Sequence, residues 1–215
     1  MSTRSVIVLL GAMLLALALI VLAIGTSANK ADAATNIVTK TFSKSAQITI
    51  PEGGAACGPT IFGKASPYPS ERGVSAFPAG SHIRDVNVRL RNYSHTWPDD
   101  VDVLLAHAGT NRTIMSDVGG AYNVNTINIT LDDEAANGLL SDEIHLVGGR
   151  FRPTNFEEDD SFPAPAPTQD NLLALSGFDT LNPNNTWRLF VQDDSTGDCG
   201  TLGGWSITIK AAVPA

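Results

Sequence analysis

Apolar and polar positions alternate along this chain with a period of two, in short runs separated by Gly, Pro, Asn and Asp. Ile83-Arg-Asp-Val-Asn-Val-Arg-Leu90 carries the pattern most cleanly: Val86, Val88 and Leu90 share one face, while Asp85, Asn87 and Arg89 share the other. Such a period puts alternate side chains on opposite sides of an extended segment, so it predicts a strand buried on one face. Ala46 to Ile50 predicts an earlier strand through Ile48 and Ile50, and Thr126 to Leu131 a later one through Ile127, Ile129 and Leu131. Val101-Asp-Val-Leu-Leu-Ala106 is apolar enough for a more deeply buried strand. A turn at Ala108-Gly-Thr-Asn111 then leads to a shorter one, Arg112 to Met115. Near the end, Asn182-Pro-Asn-Asn opens a turn and Trp187, Leu189 and Val191 alternate. After an acidic loop, Trp205, Ile207 and Ile209 repeat the alternation, and the two runs are expected to pair as an antiparallel hairpin.

No segment carries a 3.6-residue apolar period long enough for a stable helix; Asp133 to Leu140 allows a turn or two. Cys57 to Pro78, rich in Gly, Pro and Ser, reads as loop. Pro153 to Thr168 contains Glu157-Glu-Asp-Asp160 and Phe162-Pro-Ala-Pro-Ala-Pro167, where proline removes backbone donors, so an exposed loop is expected. Many short strands between turns predict an all-β fold, a jelly-roll-like β-sandwich of antiparallel strands. The expected domain spans 46–210, with an N-terminal extension at 34–45 and a tail at 211–215.

The first 33 residues have a different character. Arg4 precedes an unbroken apolar run from Val6 to Gly25, and Ala31-Asp-Ala33 has the small-x-small form of a signal peptidase site. Cleavage after Ala33 and a secreted, extracellular domain are expected. The alternative is an uncleaved segment anchoring the domain to a membrane, since about twenty apolar residues suffice to span one.

Charge narrows the partners. The chain carries 14 Lys and Arg against 22 Asp and Glu, a formal net charge of −8. That balance disfavours nucleic acid and anionic membrane surfaces. Its two cysteines, Cys57 and Cys199, both follow the leader, and an even pair in an oxidising compartment is most simply a disulfide. They lie 142 positions apart, a loop whose closure contributes on the order of 5 kcal/mol in the chain-entropy model.

Four motifs in order carry a resemblance. They are Ile83 to Leu90; His95-Thr-Trp-Pro-Asp-Asp-Val-Asp-Val-Leu-Leu105; Asn182-Pro-Asn-Asn-Thr-Trp187; and Gly200-Thr-Leu-Gly-Gly-Trp-Ser-Ile-Thr-Ile209. Together they resemble the proprotein convertase P domain, or P/Homo B domain, with the first two as its paired strands. The chain departs from the family at Ala106-His-Ala-Gly-Thr110, which lacks a customary proline, and at Asn185, where glycine is frequent. The resemblance implies a jelly-roll-like sandwich that accompanies and stabilises a subtilisin-like serine endopeptidase. About fifty residues separate the leader from the matching region, too few for a protease domain, so a non-catalytic module is expected. Its expected partner is a protein or a surface glycan, with a separate subtilisin-like protease as one candidate.

Candidate chemistry is sparse. His82, His95, His107 and His145 lack zinc-ligand spacing, and no Gly-x-Ser-x-Gly elbow occurs. Acidic clusters point instead to Ca2+, which takes six to eight hard oxygen ligands from carboxylates and carbonyls. Asp99, Asp100 and Asp102, with Asp117 further on, form one candidate set; Asp132, Asp133 and Glu134 a second; Asp193, Asp194 and Asp198 a third. None follows the EF-hand pattern. The position of Asp102, opposite Val101 and Val103, allows a site on the sheet surface. Among the tryptophans, Trp187 and Trp205 begin alternating strands and are expected in the core. Trp97, in a turn before Pro98, is the candidate carbohydrate platform.

Overall fold

The computed structural model describes residues 35–54, 57–157 and 160–215. The expected signal peptide therefore lies outside the described residues, apart from which no described helix is long and apolar enough to cross a membrane.

Among the described residues, twelve strands form two six-stranded sheets packed into an all-β sandwich. They are β1 (Thr35–Lys44), β2 (Ile48–Ile50), β3 (Gly63–Lys64), β4 (Ser70–Val74), β5 (His82–His95), β6 (Val101–His107), β7 (Thr110–Ser116), β8 (Val124–Leu131), β9 (Gly149–Phe151), β10 (Thr154–Asn155), β11 (Asn185–Asp193) and β12 (Gly200–Pro214). The first sheet runs β1-β12-β5-β8-β9, with β2 also on β12. The second runs β10-β7-β6-β11-β3, with β4 also on β11. Pairing is antiparallel except at β8–β9 and β10–β7, which are parallel, so the sheets are mixed.

The alternation places the core. Val86, Val88 and Leu90 of β5 meet Ile207 and Ile209 of β12 and Ile129 and Leu131 of β8 on the inner face of the first sheet. Trp187, Leu189 and Val191 of β11 face them from the second sheet. Trp187 and Trp205 are fully buried, as expected from their positions. The Trp187 ring stacks on His107, with centroids 3.9 Å apart, and donates its indole N–H to the Pro183 carbonyl. Burial of that N–H without an acceptor would cost about 1–3 kcal/mol. The Asn182-Pro183 turn thus supplies part of the core's polar closure.

Several expectations need correction. β11 and β12 do not pair with each other: β11 lies in the second sheet and β12 in the first, so the acidic loop between them crosses the sandwich. Likewise β5 and β6 lie in different sheets. Period two reports that each strand has a buried face; it does not name the neighbour. The expected extension at 34–45 contains β1, which pairs with β12 from Thr35 to Lys44, and the expected tail completes β12. Cys57 to Pro78 contains two short strands, β3 and β4. Asp133 to Leu140 forms turns without helix.

Cys57 and Cys199 are joined in a disulfide. It ties the segment after β2 to the start of β12, where Gly200 sits directly against the Ser94 carbonyl and leaves no room for a Cβ. The expected loop from Pro153 to Thr168 contains the short strand β10, and its Pro-rich part is a surface loop in which Ser161, Pro163, Ala164, Pro165, Pro167 and Thr168 are exposed. Phe162 and Ala166, with Tyr68, pack over Leu104, Ala106 and Phe190 on the outer face of the second sheet. It forms a strap, and the Tyr68 hydroxyl donates to the Pro163 carbonyl beneath it.

Candidate metal centre

The strap begins at Asp160, which meets Asp102 of β6 and Asp117 just after β7; carboxylate oxygens of the three lie within 4.8 Å of one another. Register explains the approach. Val103 pairs with Met115, so Asp102 and Ser116 come to the same outward edge, where the strap covers them. Asp117 adopts φ +51°, a left-handed conformation that Asp tolerates better than most residues. The strap's return is fastened as well: Asn111 Nδ2 donates to the Thr168 carbonyl, Thr113 Oγ1 to Gln169 Oε1, and Arg112 pairs with Asp170 at 2.6 Å. Gln169 Nε2 donates to the Asp160 carbonyl.

Ser116 Oγ stands at the centre, 2.5 Å from Asp102 Oδ1, 2.8 Å from Asp160 Oδ2 and 3.0 Å from Asp117 Oδ2. A hydroxyl has one hydrogen and can donate to one of these oxygens at a time. Gln192 Nε2, directly across from Asp102 in the β11–β6 register, donates to Asp102 Oδ2 at 2.7 Å. Asn155 Nδ2 donates to Asp160 Oδ2 at 3.2 Å. The Oδ1 of the same Asn155 is shielded from water and has no hydrogen-bond partner. Three carboxylates therefore share one hydroxyl hydrogen, with Gln192, Asn155 and the Glu157 backbone N–H as further donors.

The electrostatics follow. Burial, and next the Asp160 charge, push the Asp102 carboxyl well above its ordinary value, against the lowering effect of Ser116 and Gln192. Burial and then Asp160 raise Asp117 to about 7. Asp194 is also raised, by burial and then by Asp160, so the β11 end borders the centre. A cavity of about 290 Å³, lined by residues including Ser161, Gln192 and Asp194, opens beside it. Carboxylates, an amide oxygen and a hydroxyl are hard ligands suited to Ca2+, and no thiolate or imidazole belongs to the set.

A second trio, Asp85, Asp132 and Glu134, also converges within 4.8 Å. There Arg150 Nε already pairs with Asp132 Oδ2, and Asp132 Oδ1 accepts the Glu134 N–H. The arginine supplies the positive charge that a cation would bring, so the first centre is the better candidate.

The structure divides the sequence-nominated residues. Asp102 and Asp117 come together; Asp132 joins the second trio. Asp133 belongs to neither: its carboxylate accepts the backbone N–H groups of Leu175 and Ser176 and caps a short 3-10 turn. Asp99 sits apart, raised by burial and facing Gly120 and Asp142. Asp193 is fully buried, with Oδ2 3.4 Å from His95 Nε2, and Asp198 accepts a hydrogen bond from Thr96 Oγ1 at 2.7 Å. Asp100 draws the third set toward it: burial, then Asp193, Asp194 and Asp198, raise it to about 7. Trp97 is 41 % exposed. Asp160, Ser116 and Asn155 were not nominated from sequence; the acidic run ending at Asp160 was visible, its target on β6 and β7 was not.

No family model matches this chain, and no curated protein matches it.

Proposed function

We infer that this chain is an exported, non-catalytic β-sandwich module of the P/Homo B type whose strap is fastened by a calcium ion. The observation that carries the calcium reading is the meeting of Asp102, Asp117 and Asp160 around one hydroxyl. Calcium held there would join β6, β7 and the strap, and so keep Leu104, Ala106 and Phe190 covered. The module type rests on the four motifs and is supported by the core positions of Trp187 and Trp205. Two of the histidines brace the scaffold. His107 faces the carbonyls of Thr186 and Asn182, and His95 Nδ1 faces that of Trp97. Such a module would stabilise or position a partner, a separate subtilisin-like protease being the partner that the motifs suggest.

Calorimetry of the purified chain in EDTA and with added calcium tests this reading. A ligand bound only by the folded state stabilises by about 2.7 kcal/mol at one hundred times its Kd. For a domain of this size that raises Tm by roughly 5–11 °C. An unchanged Tm at millimolar calcium rejects the calcium centre.

A further inference from the structure

The outer face of the first sheet, on the other side of the molecule from the strap, is a hydroxyl-lined concavity with two arginines. Its order follows from register. Ser43 of β1, Ser206 of β12, Arg89 of β5, Thr130 of β8 and Arg150 of β9 lie across five neighbouring strands in one continuous rung. The next rung holds Thr41, Thr208 and Asn87. Because Val88, Leu90, Ile207 and Ile129 turn into the core, all of these side chains turn outward. All of them except Ser43 line a hollow of about 340 Å³, within the range of small-molecule sites, roughly 300–1,000 Å³.

Two of its polar groups lack partners. The Arg89 side chain makes no hydrogen bond or ion pair among the described residues, and the residue is exposed. Asn87 gives Nδ2 to Asp85, while its Oδ1, shielded from water, has no partner. Arg150 gives only its Nε to Asp132, and its side chain remains 57 % exposed. Arg89 and Arg150 flank Thr130 on alternate strands, so their backbones stand roughly 10 Å apart. Asp132 holds only the Nε of Arg150, so the terminal N–H groups of Arg150 and the whole Arg89 guanidinium stay available to one anion. Guanidinium groups grip planar or tetrahedral oxyanions with paired N–H bonds. Thr41 and Thr208 share one hydrogen bond at 2.9 Å, which leaves one of the two hydroxyl hydrogens for a ligand.

We propose that this face binds an acidic saccharide, a sugar carrying a carboxylate or sulfate, through Arg89 and Arg150, with Thr41, Thr130, Ser206 and Thr208 serving its hydroxyls. Charge complementarity selects the ligand. In a chain of net charge −8, Arg89 is a cation with no carboxylate partner among the described residues, and the neighbouring Asp85, Asp132 and Glu134 limit the site to a ligand of low charge density. A densely charged nucleic acid is repelled by the rest of the surface, and no aromatic ring lines the hollow to stack a base. A protein partner would need apolar side chains to pack on, and none of the residues lining the hollow is apolar. Saccharide hydroxyls match the Ser and Thr rows, and a single anionic group per ring matches the arginine pair. The site is independent of the calcium centre.

Isothermal titration of the purified chain in EDTA tests the proposal. The probes are tetragalacturonate, a sulfated disaccharide, neutral cellotetraose, inorganic sulfate and a four-nucleotide single strand. Binding of at least one charged saccharide, weakened by salt and at least about tenfold tighter than cellotetraose, is expected. Arg89→Gln should lose about tenfold or more in affinity, and Arg150→Gln should lose a similar factor. Arg188→Gln, on the opposite sheet, should bind like the parent. Arg89→Gln leaves the Arg150–Asp132 pair untouched, so its melting temperature should match the parent's and its result stands even if Arg150→Gln unfolds. Failure of both charged saccharides to bind, undiminished binding by Arg89→Gln, equal binding of cellotetraose, or tighter binding of inorganic sulfate or the nucleotide strand would each overturn it.

Discussion

Replacing Asp102 by asparagine should stabilise the chain without calcium and destabilise it with calcium. Asp102 is 1 % exposed and shares Ser116 Oγ with two other carboxylates. Burial and then Asp160 raise Asp102 and Asp117, the latter to about 7, from an ordinary 3.8. The folded state therefore binds more protons than the unfolded chain between pH about 4 and 7. Stability of the calcium-free chain should fall as pH rises through that window. An uncompensated buried charge costs about 3–5 kcal/mol. Asp117 and Asp160 are only half-buried, and solvent screening reduces the penalty to about 2 kcal/mol. An asparagine at this position keeps an oxygen for Ser116. Its amide nitrogen would meet Gln192 Nε2, whose amide must rotate and give up its 3.2 Å bond to the Ser161 carbonyl. That loss is worth about 1 kcal/mol. The net gain is about 1 kcal/mol, or a rise of roughly 2–4 °C in Tm at pH 8 in EDTA. At pH 5 the gap should close, because the parent then protonates the cluster. In saturating calcium the order should reverse, since the variant has lost a charged ligand. Differential scanning calorimetry at the two pH values, with EDTA and with calcium, reads all four states. Equal destabilisation in all four would show that Asp102 merely accepts hydrogen bonds from Ser116 and Gln192, and the argument for a cation would fail with it.

Two further perturbations address the scaffold. Replacing Cys57 and Cys199 together by serine should cost about 2–5 kcal/mol, because the bond closes a loop of 142 positions between β2 and β12; thermal melts of the double variant without reductant check it, and a loss below 1 kcal/mol would mean that β1 and β2 pairing alone holds that end. Trp187→Ala should cost about 3–5 kcal/mol by emptying the space between His107 and Phe178, whereas Trp97→Ala, at a partly exposed turn, should stay within about 0.5 kcal/mol; chemical denaturation compares the two, and similar losses would refute the division of the tryptophans into core and surface.

The fold was legible where a strand had one apolar face and lost where it did not. Val86-Asn-Val-Arg-Leu90 and Trp205-Ser-Ile-Thr-Ile209 announce themselves because burial on one face forces the alternation. β1 is polar at Thr35, Asn36, Thr39, Lys40, Thr41, Ser43 and Lys44, so it looks like a leader remnant; as an edge strand it is held by ten residues of backbone pairing to β12, which leaves little trace in side chains. β9 and β10 are three and two residues long, below the length at which a period can be read. The supposed hairpin failed for a different reason. β11 and β12 each alternate correctly, but strand neighbours are chosen by the whole sandwich, and the loop from Asp194 to Cys199 spans the two sheets.

The candidate centre was half legible on the same grounds. Asp102 and Asp117 stand out as acids in or beside apolar strands, whereas their third partner depends on where a distant loop comes to rest. A signal for that loop does lie in β6 and β11. Leu104, Ala106 and Phe190 occupy outward positions, opposite Val103, Leu105, Leu189 and Val191. Apolar groups on both faces of a strand require cover on both, and the Phe162-Pro-Ala-Pro-Ala-Pro167 run is apolar while being unable to add a regular strand. If that run covers Phe190, the acidic residues just before it are delivered to the strand ends, where Asp102 shares the outward face. An acid at an outward position among apolar neighbours will then be buried, and a buried acid approached by a second acid needs a proton or a cation. The inference runs from Phe190 to the strap, and from the strap to Asp160, without any local motif for a metal.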